Sequence, residues 1–258
     1  MARIYPLFSS SKGNSIYIGT KTEGILIDDG VSFSRLKNAL ELNGLSADSI
    51  KAVFVTHEHS DHIKGLPVLT KKIKAPVFAR GLTLEYLLKS SSVSSELREM
   101  ANGEEVCGMT IECFRTPHDA RESCGYKVSF SDGKTAAVCT DLGHVTEEIE
   151  AALLGTSCVL LESNYDVEML RNGAYPYYLK MRILSGDGHL SNIDSGRFAA
   201  KLVSSGTEKI ILGHLSQENN RPEIAENTVV SFLSQFRRNA DYLLSVAPVE
   251  TCGGFVAV

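Results

Sequence analysis

Val53-Phe54-Val55-Thr56-His57-Glu58-His59-Ser60-Asp61-His62 reads as an apolar strand running directly into three histidines and a carboxylate. Side chains alternate across an extended backbone, so His57 and His59 leave the strand end on one face while Asp61 and His62 follow on the turn. Four potential ligands therefore project into one small volume. Imidazole nitrogens and carboxylate oxygens, with no thiolate among them, suit zinc, manganese or ferrous iron better than a structural zinc held by cysteines. Asp61 and His62 are adjacent and can hardly serve the same ion as the His57/His59 pair, so the stretch reads as the start of a two-metal site. A polar loop after a strand is the plainer reading, and three histidines so close together argue against it.

Three later residues repeat the same local logic. His118, Asp141 and His214 each stand just beyond an apolar run that reads as a strand, at 111–115, 135–139 and 209–212. Taken singly they are ordinary, a solvated histidine or an aspartate capping a turn. Taken with the opening cluster they complete a ligand set. His57, His59 and His118 would hold one ion, Asp61, His62 and His214 the other, and the Asp141 carboxylate would bridge them, with room left for a shared water.

The rest of the chain alternates apolar strands with amphipathic helices, which argues for a layered α/β domain. Strands are expected at 4–8, 16–18, 24–27, 75–79 and 159–161, with a hairpin of 125–130 and 135–139 across Ser131-Asp132-Gly133. Helices are expected at 32–42, 63–73, 82–89, 147–154, 175–184, 193–204 and 222–237, a serine-rich loop at 90–95, and a final strand pair near 242–245 and 255–258. The Ser/Gly/Asn-rich segment 9–15 reads as a polar loop; it could offer backbone N–H groups to a phosphate, although turn chemistry alone explains its residues. No repeat or linker divides the chain, so 1–258 reads as a single domain.

At 258 residues and 43% hydrophobic, the chain can bury a full core. With no basic flank leading into an apolar segment, and no run long enough to span a bilayer, it reads as a cytoplasmic protein without a membrane partner. Its six cysteines include no CxxC pair and read as reduced, structural thiols. A net charge of −5 excludes a whole-surface basic field. A polyanionic substrate would need a local groove and the metals.

The ordered motifs, beginning with Asp28 after an early strand and continuing through His57/His59/Asp61/His62, His118, Asp141 and His214, resemble the metallo-β-lactamase superfamily. The resemblance implies a four-layer αβ/βα sandwich (metallo-β-lactamase fold) with a dinuclear site at one edge between the sheets. Lactamases proper commonly have cysteine where Asp141 stands, so the carboxylate places the chain among the hydrolases and phosphodiesterases. A closer resemblance, to the YycJ (WalJ) group of bacterial metallo-hydrolases, rests on segments 8–15, 56–65, 162–166, 188–192 and 213–220. Tyr165, where histidine is expected in close relatives, and His144, where an aromatic residue is expected, depart from that pattern.

The expected activity is metal-dependent hydrolysis of a phosphodiester, with DNA the favoured substrate and an exonuclease the favoured form. Two divalent ions, Zn2+ or Mn2+, would lower the pKa of a shared water and stabilise charge on the attacking and leaving oxygens. Asp61 would orient that water or accept its proton. His189, after a glycine-rich turn, would lie outside the metal set and assist the leaving group. Ser11, Asn14, Asn164 and Arg182 are candidate substrate contacts, and Lys12, Lys180 and Arg221 could meet flanking phosphates. A thioester or ester hydrolase of the glyoxalase II kind shares the same ligands, and a non-catalytic metal-binding regulator remains a third reading.

Overall fold

Runs such as Ile25-Leu26-Ile27 and Val159-Leu160-Leu161 have no polar face to turn to water, so strands built from them must be covered on both sides. The computed structural model describes residues 2–90, 93–101 and 103–258 and shows how that is done. The first half runs β1 (Arg3–Ser10), β2 (Gly13–Gly19), β3 (Gly24–Ile27), α1 (Phe33–Leu42), β4 (Ile50–Phe54), α2 (Ser60–Ile63), α3 (Leu66–Lys72), β5 (Val77–Ala79), α4 (Gly81–Ser90) and β6 (Leu97–Glu99). The second runs β7 (Glu104–Val106), β8 (Met109–Arg115), β9 (Cys124–Phe130), β10 (Thr135–Cys139), α5 (Glu147–Leu153), β11 (Cys158–Glu162), α6 (Val167–Asn172), α7 (Tyr177–Ile183), α8 (Asn192–Ser204), β12 (Lys209–Gly213), α9 (Pro222–Phe232), β13 (Leu243–Val246) and β14 (Val256–Ala257).

These strands form two seven-stranded sheets, ordered β14-β1-β2-β3-β4-β5-β6 and β13-β12-β11-β10-β9-β8-β7. Alternation sorts each strand between two cores. Ile25, Ile27 and Phe54 meet Tyr126, Val138 and Leu160 between the sheets. Leu26 and Val53 face Leu36, Leu40 and Leu69 of the outer helices, while Val159 and Leu161 face Ile149, Phe198 and Leu202 on the opposite outside. The order helix, sheet, sheet, helix is the expected four-layer sandwich.

Strands β3 to β6 are mutually parallel, as are β10 to β13. The carboxyl ends of such strands share one edge, where connecting loops meet and ligands are bound. The 131–133 turn closes the hairpin as expected, with Gly133 at φ 82° and Asp132 Oδ1 accepting from the Lys134 N–H at 3.1 Å.

Several boundaries differ from the sequence reading. Most of segment 9–15 is strand, with a two-residue turn at Ser11 and Lys12, because the Ser and Asn side chains point into the buried edge instead of water. The 63–73 helix is two pieces, α2 and α3, broken at Lys64-Gly65 before Pro67. Helix α9 stops at Phe232, and the chain turns back through hydrogen bonds such as Phe236 N–H to Leu233 O before Arg237 is reached. The last two strands do not pair with each other: β13 joins β12, and β14 crosses to β1 in the other sheet. The short elements β6, β7 and α6 carry too few apolar residues to register as periodic. Part of the serine-rich stretch 90–95, and Met1, lie outside the described residues.

Candidate metal centre

At the shared carboxyl edge, β3 delivers Asp28, β4 delivers the 57–62 cluster, and β8, β10, β11 and β12 deliver His118, Asp141, Glu162 and His214. All but one of the chain's seven histidines converge there, the exception being His144. Asp28, Asp141 and His214 each adopt left-handed backbone, with φ of 59°, 58° and 55°. That conformation costs roughly 1 kcal/mol or more for a residue with a Cβ. It is held by the surrounding fold, and it turns the chain sharply as it leaves each strand. Gly30 permits the close approach of this edge to α2: a Cβ there would lie 1.6 Å from the Asp61 carbonyl oxygen.

Ligand atoms of His57, His59 and His118 lie within 4.8 Å of one another, and so do those of Asp61, His62 and His214. Asp141 stands between the two groups. One carboxylate oxygen is 3.4 Å from His62 Nε2, and the other is 3.8 Å from His118 Nε2.

Hydrogen bonds behind the rings fix their tautomers. His62 Nδ1 is 2.7 Å from Asp28 Oδ2, His118 Nδ1 is 3.0 Å from the Gly188 carbonyl, and His214 Nδ1 is 2.9 Å from Glu162 Oε1. Thr56 gives its hydroxyl proton to Asp28 at 2.8 Å and so is left to accept from His57 Nδ1 at 3.0 Å. Each of these rings then turns its Nε2 into the pocket, the orientation that outer partners impose on metal-binding histidines.

The pocket also holds polar atoms that no protein group satisfies. Asp141 Oδ2 and His214 Nε2 are buried without a hydrogen-bond partner. Orphaned buried acceptors are costly, and a cation is what a lone carboxylate oxygen and a lone imidazole nitrogen accept together. The charges agree. Burial opposes ionisation of Asp141, yet His214, His62, His57 and His118 hold its carboxyl well below the usual range. Burial likewise opposes charge on His62 and His214, but Asp141, with Asp28 and Glu162 respectively, pushes them up to about 10 and about 9. Burial and the neighbouring His62 push His57 well below its ordinary value. A field that draws protons onto buried imidazoles draws divalent cations in the same way. The donor set fits divalent metal ions.

Comparison with known proteins agrees with this geometry. Residues 24–215 match the Beta-lactamase superfamily domain. The chain is 37% identical over 235 residues to the exodeoxyribonuclease WalJ of Streptococcus pneumoniae serotype 2, covering 89% of this chain and 87% of that protein. It is 36% identical over 233 residues to the exodeoxyribonuclease YycJ of Bacillus anthracis, covering 89% and 88%. The chain belongs to the metallo-β-lactamase superfamily, in its YycJ (WalJ) group. Its fold is shared with the metallo-β-lactamase fold protein YhfI of Bacillus subtilis, at a TM-score of 0.73 and 13% identity over 97% of this chain and 98% of that one.

In this YycJ-group chain the other candidate residues fall in different places. Asp61 is partly exposed, with Oδ2 3.5 Å from His62 Nε2. Asn14 is buried in the pocket wall, its amide nitrogen 3.0 Å from His62 Nε2 and 3.4 Å from Asp61 Oδ2. His189 Nδ1 is 2.8 Å from Glu162 Oε1, and its ring centroid lies 5.2 Å from His118 and 5.3 Å from His214. Arg182 sits on the rim and grips Asp119, the neighbour of His118, through two nitrogens.

Asn164, expected to face substrate, is turned inward: it is buried and gives its amide to the His214 carbonyl at 2.8 Å. Ser11 and Lys12 are exposed at the β1–β2 turn, where Lys64 bonds the Lys12 carbonyl at 2.6 Å. Lys180 is tied to the Arg171 carbonyl, and Arg221 to the carbonyls of Gln217 and Asn220. Exposed His144 bonds the Gly186 carbonyl at 2.9 Å, and Tyr165 is buried against Leu170 and Ile183.

Two supports escaped the sequence reading. Glu162 is fully buried, its Oε1 faces both His189 and His214, and its Oε2 accepts the Leu142 N–H at 2.9 Å and the Leu190 N–H at 3.3 Å. Its position, a carboxylate directly after an apolar strand, is the signal that singled out Asp28 and Asp141. Asn220 stitches the edge together, its amide nitrogen bonding the carbonyls of Ser163 and Asn164 and the Asn192 side chain at 2.9–3.0 Å. Those residues come from the three late segments that carry the family resemblance.

Proposed function

We propose that the chain is a two-metal exodeoxyribonuclease that hydrolyses DNA phosphodiester bonds. The observation that carries this reading is the convergence of two ligand trios on the single carboxylate of Asp141. The names of the relatives matched along most of the chain support DNA as the substrate. His57, His59 and His118 would hold one ion and Asp61, His62 and His214 the second, with Asp141 shared; zinc and manganese both suit these donors. The bound ions would supply an activated water and charge neutralisation at phosphorus.

The protein's own groups then have defined tasks. Asp61, partly open to solvent and held by Asn14, orients the attacking water and accepts its proton. Glu162 holds the Nδ1–H of His189, and in its imidazolium form the ring carries a second proton on Nε2, which it gives to the departing oxygen. Glu162, Asp28, Thr56 and the Gly188 carbonyl keep His214, His62, His57 and His118 in the tautomer that binds cations. A cytoplasmic location is part of the proposal. Among the described residues none of the six cysteines forms a disulfide, and no helix is long and apolar enough to cross a membrane.

The test is incubation of zinc- and manganese-loaded protein with end-labelled single- and double-stranded DNA and RNA. Stepwise shortening of DNA from one end is expected. Loss of RNA alone would move the substrate assignment, and cleavage of none of the four would overturn the nuclease reading.

A further inference from the structure

Helix α7 has two unlike faces. Leu179 and Ile183 pack on Tyr165 and Leu170. On the other side Tyr177 is 78% exposed, Tyr178 74%, Met181 47% and Leu184 38%, and the two tyrosines are the most exposed large hydrophobic residues described. At about 100° per residue these four fall within an arc of roughly 120°, with Lys180 on one flank and Arg182 on the other. Scattered single apolar residues on a surface need no explanation, but an apolar stripe headed by two tyrosines and flanked by two cations does.

The stripe is continuous with the metal pocket. Arg182 is locked to Asp119 beside His118, and it also feels the charge of Asp61. The turn after α7 supplies the Gly188 carbonyl to His118 Nδ1 and the Asp187 carbonyl to the Asp119 N–H, each at 3.0 Å, and then leads into His189. The C-terminal end of α7 is therefore part of the pocket wall. Tyr177 and Tyr178 stand roughly 6–8 Å further along the helix axis than Arg182, about the span of two stacked nucleotides.

We infer that the exposed face of α7 is a stacking platform for the single-stranded end of the substrate. The rings of Tyr177 and Tyr178 would receive the two bases next to the scissile phosphate, and Arg182 and Lys180 the phosphates between them. This rests on the nuclease reading above. Every base has a π-face, so stacking holds a strand without selecting sequence, which suits an enzyme that must process successive nucleotides. Arg182 keeps N–H groups beyond the two that Asp119 takes, and these are available to a phosphate.

The experiment uses the metal-loaded full chain and two substrates, single-stranded oligothymidylate and bis(p-nitrophenyl) phosphate, which has no neighbouring base. Tyr177→Ala/Tyr178→Ala should raise KM for the oligonucleotide by about tenfold or more, leave turnover of the small diester unchanged, and be rescued by Phe at both positions. Unchanged KM for the oligonucleotide, or equal losses on both substrates, would overturn the platform. The chain has no tryptophan, so Tyr177→Trp creates a single reporter. A cleavage-resistant phosphorothioate oligothymidylate should quench it, and absence of quenching counts against the platform whatever the activity. Quenching without DNA cleavage by the unaltered protein would instead sink the nuclease reading and leave the platform standing. A dimer that the double alanine variant dissolves, with KM unchanged, would assign the face to a second copy of the chain and refute the proposal.

Discussion

In the first sheet one stretch after β4 carries His57, His59, Asp61 and His62, whereas in the second β8, β10 and β12 deliver His118, Asp141 and His214 one at a time. The buried carboxylates behind them differ in a matching way. Asp28 serves one imidazole and Thr56, and burial still raises its pKa above the ordinary carboxylate value. Glu162 serves two imidazoles and two backbone N–H groups, and although burial opposes its charge, His189 and His214 hold it below the ordinary value. The compact side depends on local geometry, and the dispersed side on a central anion that keeps separate strand ends in register. Left-handed backbone at Asp28, Asp141 and His214 shows that the strand ends are tightly constrained on both sides.

The most severe way to break the arrangement is to remove the residue both sides share. In the proposed two-metal site Asp141→Ala would leave two dications to repel one another in a partly desolvated pocket. Metal content should fall from about two per chain toward one or none, and turnover by roughly a thousandfold. Metal analysis showing unchanged occupancy with normal activity would refute the shared-ligand role.

His189→Ala touches only the dispersed side. Both metals should stay, and turnover on a DNA substrate with a poor alkoxide leaving group should fall roughly a hundredfold. An activated aryl phosphodiester, whose leaving group needs no proton, should lose much less. Equal losses on the two substrates would indicate phosphate binding in place of acid catalysis.

The two supporting carboxylates sharpen the comparison directly. Glu162→Gln and Asp28→Asn should each weaken metal affinity by about 10- to 100-fold. The Glu162 variant should be the worse and should also reproduce the leaving-group dependence of His189→Ala, because one carboxylate orients both rings. Competition titrations with a zinc chelator measure the affinities, and the reverse ranking would contradict the division of labour.

The smallest effect on the metal site is that of Asp29, beside Asp28, and its removal acts on stability instead. Asp29 is buried, and desolvation pushes its pKa up to about 8 although the Val31 N–H and the Lys64 charge oppose the rise. An acid whose folded pKa exceeds its unfolded value loses stability as pH rises from about 4 to 8, since the unfolded chain releases the proton first. Asp29→Asn should therefore match the native protein near pH 4 and exceed it progressively toward pH 8. There its Tm should be higher by at least roughly 2–4 °C, the shift that each kcal/mol makes in a chain of this size, since the linkage of a folded pKa of about 8 amounts to several kcal/mol. A difference in Tm independent of pH would show that the carboxylate is already ionised in the folded state.

The sequence by itself determined the layered fold and the types of the candidate ligands. His57 to His62 is decisive because its spacing is local, and the apolar runs before His118, Asp141 and His214 place each residue at a strand end without any knowledge of strand order. It did not distinguish Glu162 or Asn220 from ordinary polar residues after a strand or in a loop, because their partners lie 20 to 57 residues away. Nor could periodicity resolve β6, β7 and α6, which are short and half exposed, or send β13 and β14 to different sheets. Only the tertiary structure decided which strand ends meet, which imidazole nitrogen faces the pocket, and that Asn164 braces His214. Those outcomes depend on hydrogen bonds and burial between segments remote in the chain, and no pattern confined to neighbouring residues encodes them.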